Sequence, residues 1–105
     1  MIDWTHINRL RHEVGEDSFT EIVGLFFAEV KEVFDRVRAN GATHTDMHFL
    51  KGSAANLGFV EFSKACQIAE HALIAQDETA DLESVYSSFN ASCASFTEGL
   101  SKRSA

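Results

Sequence analysis

The chain has 105 residues, 45% of them hydrophobic and 24% charged, with nine basic residues against sixteen acidic ones and no proline. That length allows a single domain over residues 1–105, and the apolar share is enough for a core, which excludes disorder as the default. A net charge of −7 argues against a nucleic-acid partner held through phosphate neutralisation. No run of eighteen or more apolar residues occurs, so no membrane span is expected. The opening Met1-Ile2-Asp3-Trp4 has neither the basic nor the apolar region of a secretory signal. A cytoplasmic protein is the simplest expectation.

The chain reads as helix after helix, and the missing prolines suit that. The first helix, over about 4–14, follows Asp3 as N-cap, carries Trp4, Ile7, Leu10 and Val14, and stops at Gly15. The second is expected over about 18–39. Ser18-Phe19-Thr20-Glu21 matches a capping box, and Phe19, Ile22, Val23, Phe26, Val30, Val33, Phe34 and Val37 recur at steps of three and four until Asn40-Gly41. Phe26 and Phe27 are adjacent, so one must leave the stripe, and packing against the first helix is its expected place. The third helix, about 44–57, ends before Gly58 and turns Met47, Leu50, Ala54 and Leu57 inward.

The fourth, about 61–76, does the same with Phe62, Ala65, Cys66, Ala69 and Leu73. Asp77-Glu78-Thr79-Ala80 connects it to a fifth, about 81–101, striped by Leu82, Val85, Phe89, Cys93, Phe96 and Leu100. Ser84, Ser87, Ser88, Ser92 and Ser95 fall to its other faces. No convincing period-two run with turn signals appears, so no sheet is expected. The fold class is therefore all-α: an antiparallel four-helix bundle with an additional short N-terminal helix over one end. Cys66 and Cys93 form neither a CxxC nor a metal-ligand spacing and read as buried, reduced thiols.

The stretch that carries chemistry runs from His48 to Phe59. With Met47, Leu50, Ala54 and Leu57 inward, His48, Lys51, Gly52 and Ala55 face solvent. An exposed glycine inside a helix costs about 1 kcal/mol relative to alanine, so another requirement favours Gly52. Four residues after His48, it leaves one side of the imidazole uncovered for a second protein's approach. A neutral, solvent-facing imidazole is a nucleophile near neutral pH, and Lys51 stands where it would stabilise the oxygens of a phosphoryl group. Such a ring works better with one nitrogen hydrogen-bonded to an acceptor, which fixes the tautomer. Gln67 and Glu70 flank the buried stripe of the fourth helix, and antiparallel pairing with the third would let Glu70 reach His48.

At this point the chain resembles the histidine-containing phosphotransfer (HPt) domains. His48-Phe49-Leu50-Lys51-Gly52-Ser53-Ala54-Ala55-Asn56-Leu57-Gly58-Phe59 is similar in register to their signature, although Phe59 stands where many members have alanine. The resemblance implies that His48 accepts a phosphoryl group, Lys51 contacts it and Gly52 gives access. It also implies that Glu70 hydrogen-bonds the ring, as a glutamate at this spacing does in the chemotaxis kinases, while other members carry glutamine. The implied function is a shuttle between aspartates of receiver domains, from a hybrid sensor histidine kinase to a response regulator. It would have no cofactor of its own, and Mg2+ would sit on the partner receiver.

Two other readings stand beside this one. The first is a scaffold that binds receivers without accepting phosphate. The second is a metal-binding bundle using His44 and His48, one helical turn apart, with Glu70 or His71 as third ligand. His44 otherwise reads as a surface residue near a helix start, and His6, His12 and His71 as solvated. No phosphate loop or nucleotide motif occurs, so no ATP-dependent kinase activity is expected and the enzyme status is that of a phosphotransfer intermediate. A complete chain of this length would be a free-standing monomer, steered by its negative charge toward basic surfaces on its partners.

Overall fold

The computed structural model describes residues 1–77 and 79–104, with 103 and 104 by backbone alone. Glu78, in the expected connection between the last two helices, lies outside the described residues. Five helices occur among the described residues: α1 (Trp4–Val14), α2 (Glu16–Asn40), α3 (His44–Asn56), α4 (Val60–Ile74) and α5 (Leu82–Ser104). The fold is an all-α bundle in which α2 to α5 alternate in direction. Arg36 near the end of α2 meets Asp46 near the start of α3, and His48 early in α3 meets Glu70 late in α4. Across the interior, Phe34 meets Tyr86 while Phe27, two turns earlier in α2, meets Phe96, further along α5.

α2 begins at Glu16, two residues before the expected start, and Ser18 lies within its first turn. The reason is Gly15. With φ +85° and ψ 163°, it adopts a conformation essentially reserved for glycine, so one residue turns the chain from α1 into α2. Arg11 donates two hydrogen bonds of 3.0 Å to the Glu16 carboxylate and lies over the Phe19 ring, fixing the corner from outside. A capping box is found instead at α3. The Thr43 hydroxyl accepts from the Asp46 backbone N–H, and the Asp46 carboxylate accepts from that of Thr43. The same carboxylate accepts from Arg36 at 2.7 Å. Burial alone would raise the Asp46 pKa, but the hydrogen bonds from Arg36 and Thr43 hold it below the ordinary carboxylate value. At the other end, α4 stops at Ile74, before Gln76 takes a φ of +57°.

Phenylalanine fills the interior. Phe34, Phe62 and Phe89 meet from three helices, with ring centroids 4.9–6.2 Å apart. Phe26, buried, and Phe27, half-buried, both turn inward, and Phe27 touches Phe59, Phe89 and Phe96. Ser92, expected on an exposed face, is buried because it falls between Val85 and Phe96 on the inward stripe, and its hydroxyl has no hydrogen-bond partner among the described residues. Cys66 is fully buried and Cys93 half-buried; both are free thiols, pushed up by burial to about 12 and about 11. At those values the thiolate is scarce, which leaves them as small apolar groups.

The end of the bundle nearest α1 is closed by backbone pairing. Asp3 N–H donates to the Gly58 carbonyl at 2.8 Å and Val60 N–H to that of Met1 at 3.2 Å. Gly58 has φ +78°, and a Cβ there would stand 3.0 Å from the Asp3 carbonyl oxygen, so both conformation and space call for glycine. His6, expected to be solvated, is half-buried and donates from Nε2 to the Asn56 carbonyl at the end of α3. Trp4 stacks on Phe96 and fills the space left by Gly99, where a Cβ would fall 2.0 Å from the indole. Gly99→Ala therefore should lower stability by about 1–3 kcal/mol through overpacking, although a helical glycine-to-alanine change ordinarily gains about 1 kcal/mol. Thermal unfolding reads the sign directly, and a raised Tm would contradict the Trp4–Gly99 fit.

Candidate functional site

Pairing of α3 with α4 builds the site. The inward residues Met47, Leu50 and Ala54 of α3 and Phe62, Cys66 and Ala69 of α4 are buried. That registration leaves His48 on the rim of α3 and brings Glu70 up against it. Glu70 Oε2 accepts from His48 Nδ1 at 2.8 Å, and Oε1 accepts from Lys51 Nζ at 2.7 Å. Exposure falls steeply across the three side chains: 67% for His48, 26% for Lys51 and 10% for Glu70. A carboxylate so far from water requires cationic or hydrogen-bonding partners, and here each oxygen has one.

The hydrogen bond from Lys51, then that from His48, holds the Glu70 carboxyl below its ordinary range against the opposing effect of burial. It is therefore ionised at neutral pH and accepts without donating. The imidazole must place its proton on Nδ1, which leaves the Nε2 lone pair directed outward. Glu70 and Lys51 carry opposite charges that offset one another, so an incoming anion meets no net negative charge from the pair. The arrangement presents an oriented nitrogen nucleophile on an open, solvent-exposed side chain.

The remaining residues of the site divide clearly. Gly52 is exposed in the middle of α3, and a Cβ there would meet nothing within 4 Å. No contact among the described residues accounts for a glycine at that position. Gln67 is exposed and makes no hydrogen bond to the ring among the described residues. Three residues before Glu70, it is rotated about 60° away around the helix and lines a groove with Asp3, His6 and Ser63. Among the described residues, Glu70 is the one that hydrogen-bonds the His48 ring. Ser63 belongs to the site but has no signal in the sequence: its hydroxyl donates to the Lys51 carbonyl at 3.0 Å, tying α4 to the backbone beneath the lysine.

His44 is exposed, and no three His, Cys, Asp or Glu side chains come together as a metal cage among the described residues. A groove of about 470 Å3 lies between α4 and α5 and is lined by Glu61, Lys64, Ile68 and Ser84, not by His48.

Acid should test the role of Glu70. Its folded carboxyl titrates below the ordinary value, so the unfolded chain binds more protons in that range. The stabilisation is complete at neutral pH and is lost as pH falls through the folded value. Glu70→Gln should unfold at a lower temperature than the wild type at pH 7, with the gap closing below about pH 4. An equal gap at both pH values would remove Glu70 as the ionised partner. Nitrogen chemical shifts of His48 should show the Nδ1–H tautomer in the wild type and a mixture in the variant.

The Hpt domain model matches residues 21–94, more than two thirds of the chain. No curated protein and no solved structure gives a significant match. The matched span begins inside α2 and ends inside α5, so it takes in the whole α3–α4 pair with His48, Lys51, Gly52 and Glu70. On that match the chain belongs to the Hpt domain family, whose members serve histidine phosphotransfer in phosphorelays.

Proposed function

We propose that this protein passes a phosphoryl group between aspartates of receiver domains by way of His48, linking a hybrid sensor histidine kinase to a response regulator. The observation that carries this reading is the hydrogen bond from Nδ1 of an exposed imidazole to a buried, ionised carboxylate. In the forward step the Nε2 lone pair attacks the phosphorus of an aspartyl phosphate. A P–N bond forms as the P–O bond to the aspartate breaks, and the aspartate leaves as carboxylate. The proton on Nδ1 stays in place. The imidazolium charge that develops is balanced by Glu70, which already holds the ring. The second transfer runs the same step in reverse toward another receiver.

Lys51 sits one turn from His48 and is engaged with Glu70. On this reading it also contacts the arriving phosphoryl oxygens, while Gly52 lets the receiver's backbone pass close to the ring. Magnesium belongs to the receiver, where it offsets charge around the aspartate; this chain supplies only the imidazole and its supports. Residues 1–105 act as a single domain and as a monomer, and the protein works in the cytoplasm, where receivers are found. No helix is long and apolar enough to cross a membrane among the described residues.

Transfer from a labelled, phosphorylated receiver provides the test. The wild type should acquire acid-labile, base-stable label, and His48→Gln should acquire none while melting at a similar temperature. Label retained on His48→Gln would overturn the assignment. Glu70→Ala should slow transfer roughly 10–100-fold without abolishing it, because orientation is lost and the nucleophile is kept. Gly52→Ala should change stability and transfer in opposite directions. It should gain up to about 1 kcal/mol as a helix former and transfer at least about tenfold more slowly, because the methyl group obstructs close approach. A gain in both would remove the access role of Gly52.

A further inference from the structure

Glu70 orients His48 only while α4 holds it at the right level along α3, and neither of its own hydrogen bonds fixes that level. Lys51 reaches Oε1 through a flexible four-carbon stem, and the His48 ring turns about two side-chain bonds, so both can follow a carboxylate that moves. Leu50, Ala54, Cys66 and Ala69 are buried where the two helices pack, but apolar burial attracts without direction. A directional contact between α3 and α4 is what resists sliding.

Ser63 makes such a contact. Its hydroxyl donates to the Lys51 carbonyl at 3.0 Å. A serine inside a helix commonly returns its hydroxyl to a carbonyl one turn back in the same helix. Here the Phe59 carbonyl accepts the Ser63 backbone N–H at 2.9 Å, and the hydroxyl crosses to α3 instead. The acceptor is main chain inside α3, and the donor hangs on a single rotatable bond, so the link has little give. It stands in the first turns of α4, close to the short connection at 57–59. Glu70 follows seven residues later, two turns on, about 10 Å along the axis and on nearly the same side of the helix. α4 therefore grips Lys51 twice, by its backbone through Ser63 and by its ammonium through Glu70.

We propose that Ser63 is a positioning residue for phosphotransfer: its hydrogen bond to the Lys51 carbonyl sets the level of α4 along α3 and so keeps Glu70 on Nδ1 of His48. This rests on the phosphotransfer reading of His48. The His48–Glu70 bond is 2.8 Å long, and a shift of about 1 Å is enough to lose a bond of that kind and a large part of the rate that depends on it. Once released, the ring exchanges between tautomers, and the Nε2 lone pair is presented for only part of the time. Ser63 itself touches no reacting atom and acts through Glu70.

The test reads the ring and the reaction separately, on the full chain. In Ser63→Ala the His48 nitrogen chemical shifts should move from the Nδ1–H tautomer toward a mixture. Labelling of His48 by the small donor phosphoramidate should slow about three- to tenfold, and transfer from a phosphorylated receiver should slow by the same factor at unchanged KM. Ser63→Thr keeps the hydroxyl and Ser63→Val matches its size without one, so the threonine variant should stay near the wild type while the valine variant behaves as Ser63→Ala. Because Ser63 acts through Glu70, adding Ser63→Ala to Glu70→Ala should slow labelling no further. A Ser63→Ala protein that melts lower yet keeps the Nδ1–H signal and the labelling rate would overturn the proposal, leaving Ser63 as a contact of stability alone. A loss that multiplies in full with that of Glu70→Ala, or equal behaviour of the threonine and valine variants, would overturn it as well. Absence of phosphoramidate label on the wild type would overturn the phosphotransfer reading instead, and the tautomer shift in Ser63→Ala would still report that Ser63 holds Glu70 on the ring.

Discussion

The carboxylate of Glu70 sits between α3 and α4 with little access to water, and it stays ionised because Lys51 and His48 each donate to one of its oxygens. Much follows from that placement. A buried charge with both oxygens engaged holds its partners in fixed positions, so a histidine on an otherwise open surface acquires a defined tautomer and direction. Most of the ring remains in solvent, yet its orientation is set from the interior. Chemistry on an exposed side chain has to fix the direction of its nucleophile; here one charged group beneath the surface holds the ring.

That group must itself be held still, and the aromatic interior explains how. α2 and α5 face each other through Phe27, Phe34, Phe89, Phe96 and Tyr86, whose edge-to-face and tilted contacts fill the space between them. α3 and α4 approach through smaller residues, Ala54, Cys66 and Ala69, all buried. Small side chains let two helices come close, and close approach brings a glutamate on one within reach of a histidine and a lysine on the other. Large rings on one side of the bundle and small residues on the other divide the tasks: the first supply buried apolar area, the second supply proximity.

Much of this was legible in the sequence. The spacing of Phe19, Phe26, Val30, Val33 and Val37 marks α2 as clearly as any contact does, and the inward set Met47, Leu50 and Ala54 alone places His48 outward. Partnership of Glu70 with His48 followed once α3 and α4 were paired antiparallel. What escaped depends on contacts between distant residues or on backbone conformations that patterns do not encode. Gly15 joins two helices without a connecting loop, so a good capping box at Ser18 goes unused. His6 is captured by a carbonyl fifty residues away. Ser92 looks polar by composition but lies on the buried stripe by position. Gly99 reads as an ordinary weak point in a helix until Trp4 is seen occupying its space.

α1 and the residues before it lie outside the span of the family match, yet they seal one end of the bundle through Asp3 on Gly58, Met1 on Val60 and Trp4 on Gly99. Met1 and the last turns of α5 around Gly99 are thereby gathered at that pole, away from His48 near the other end of α3. A domain joined ahead of Met1 would start from that pole, beside Val60. A receiver attached there by a flexible tether of suitable length would meet His48 as an intramolecular partner, at an effective concentration set by the tether rather than by the cell.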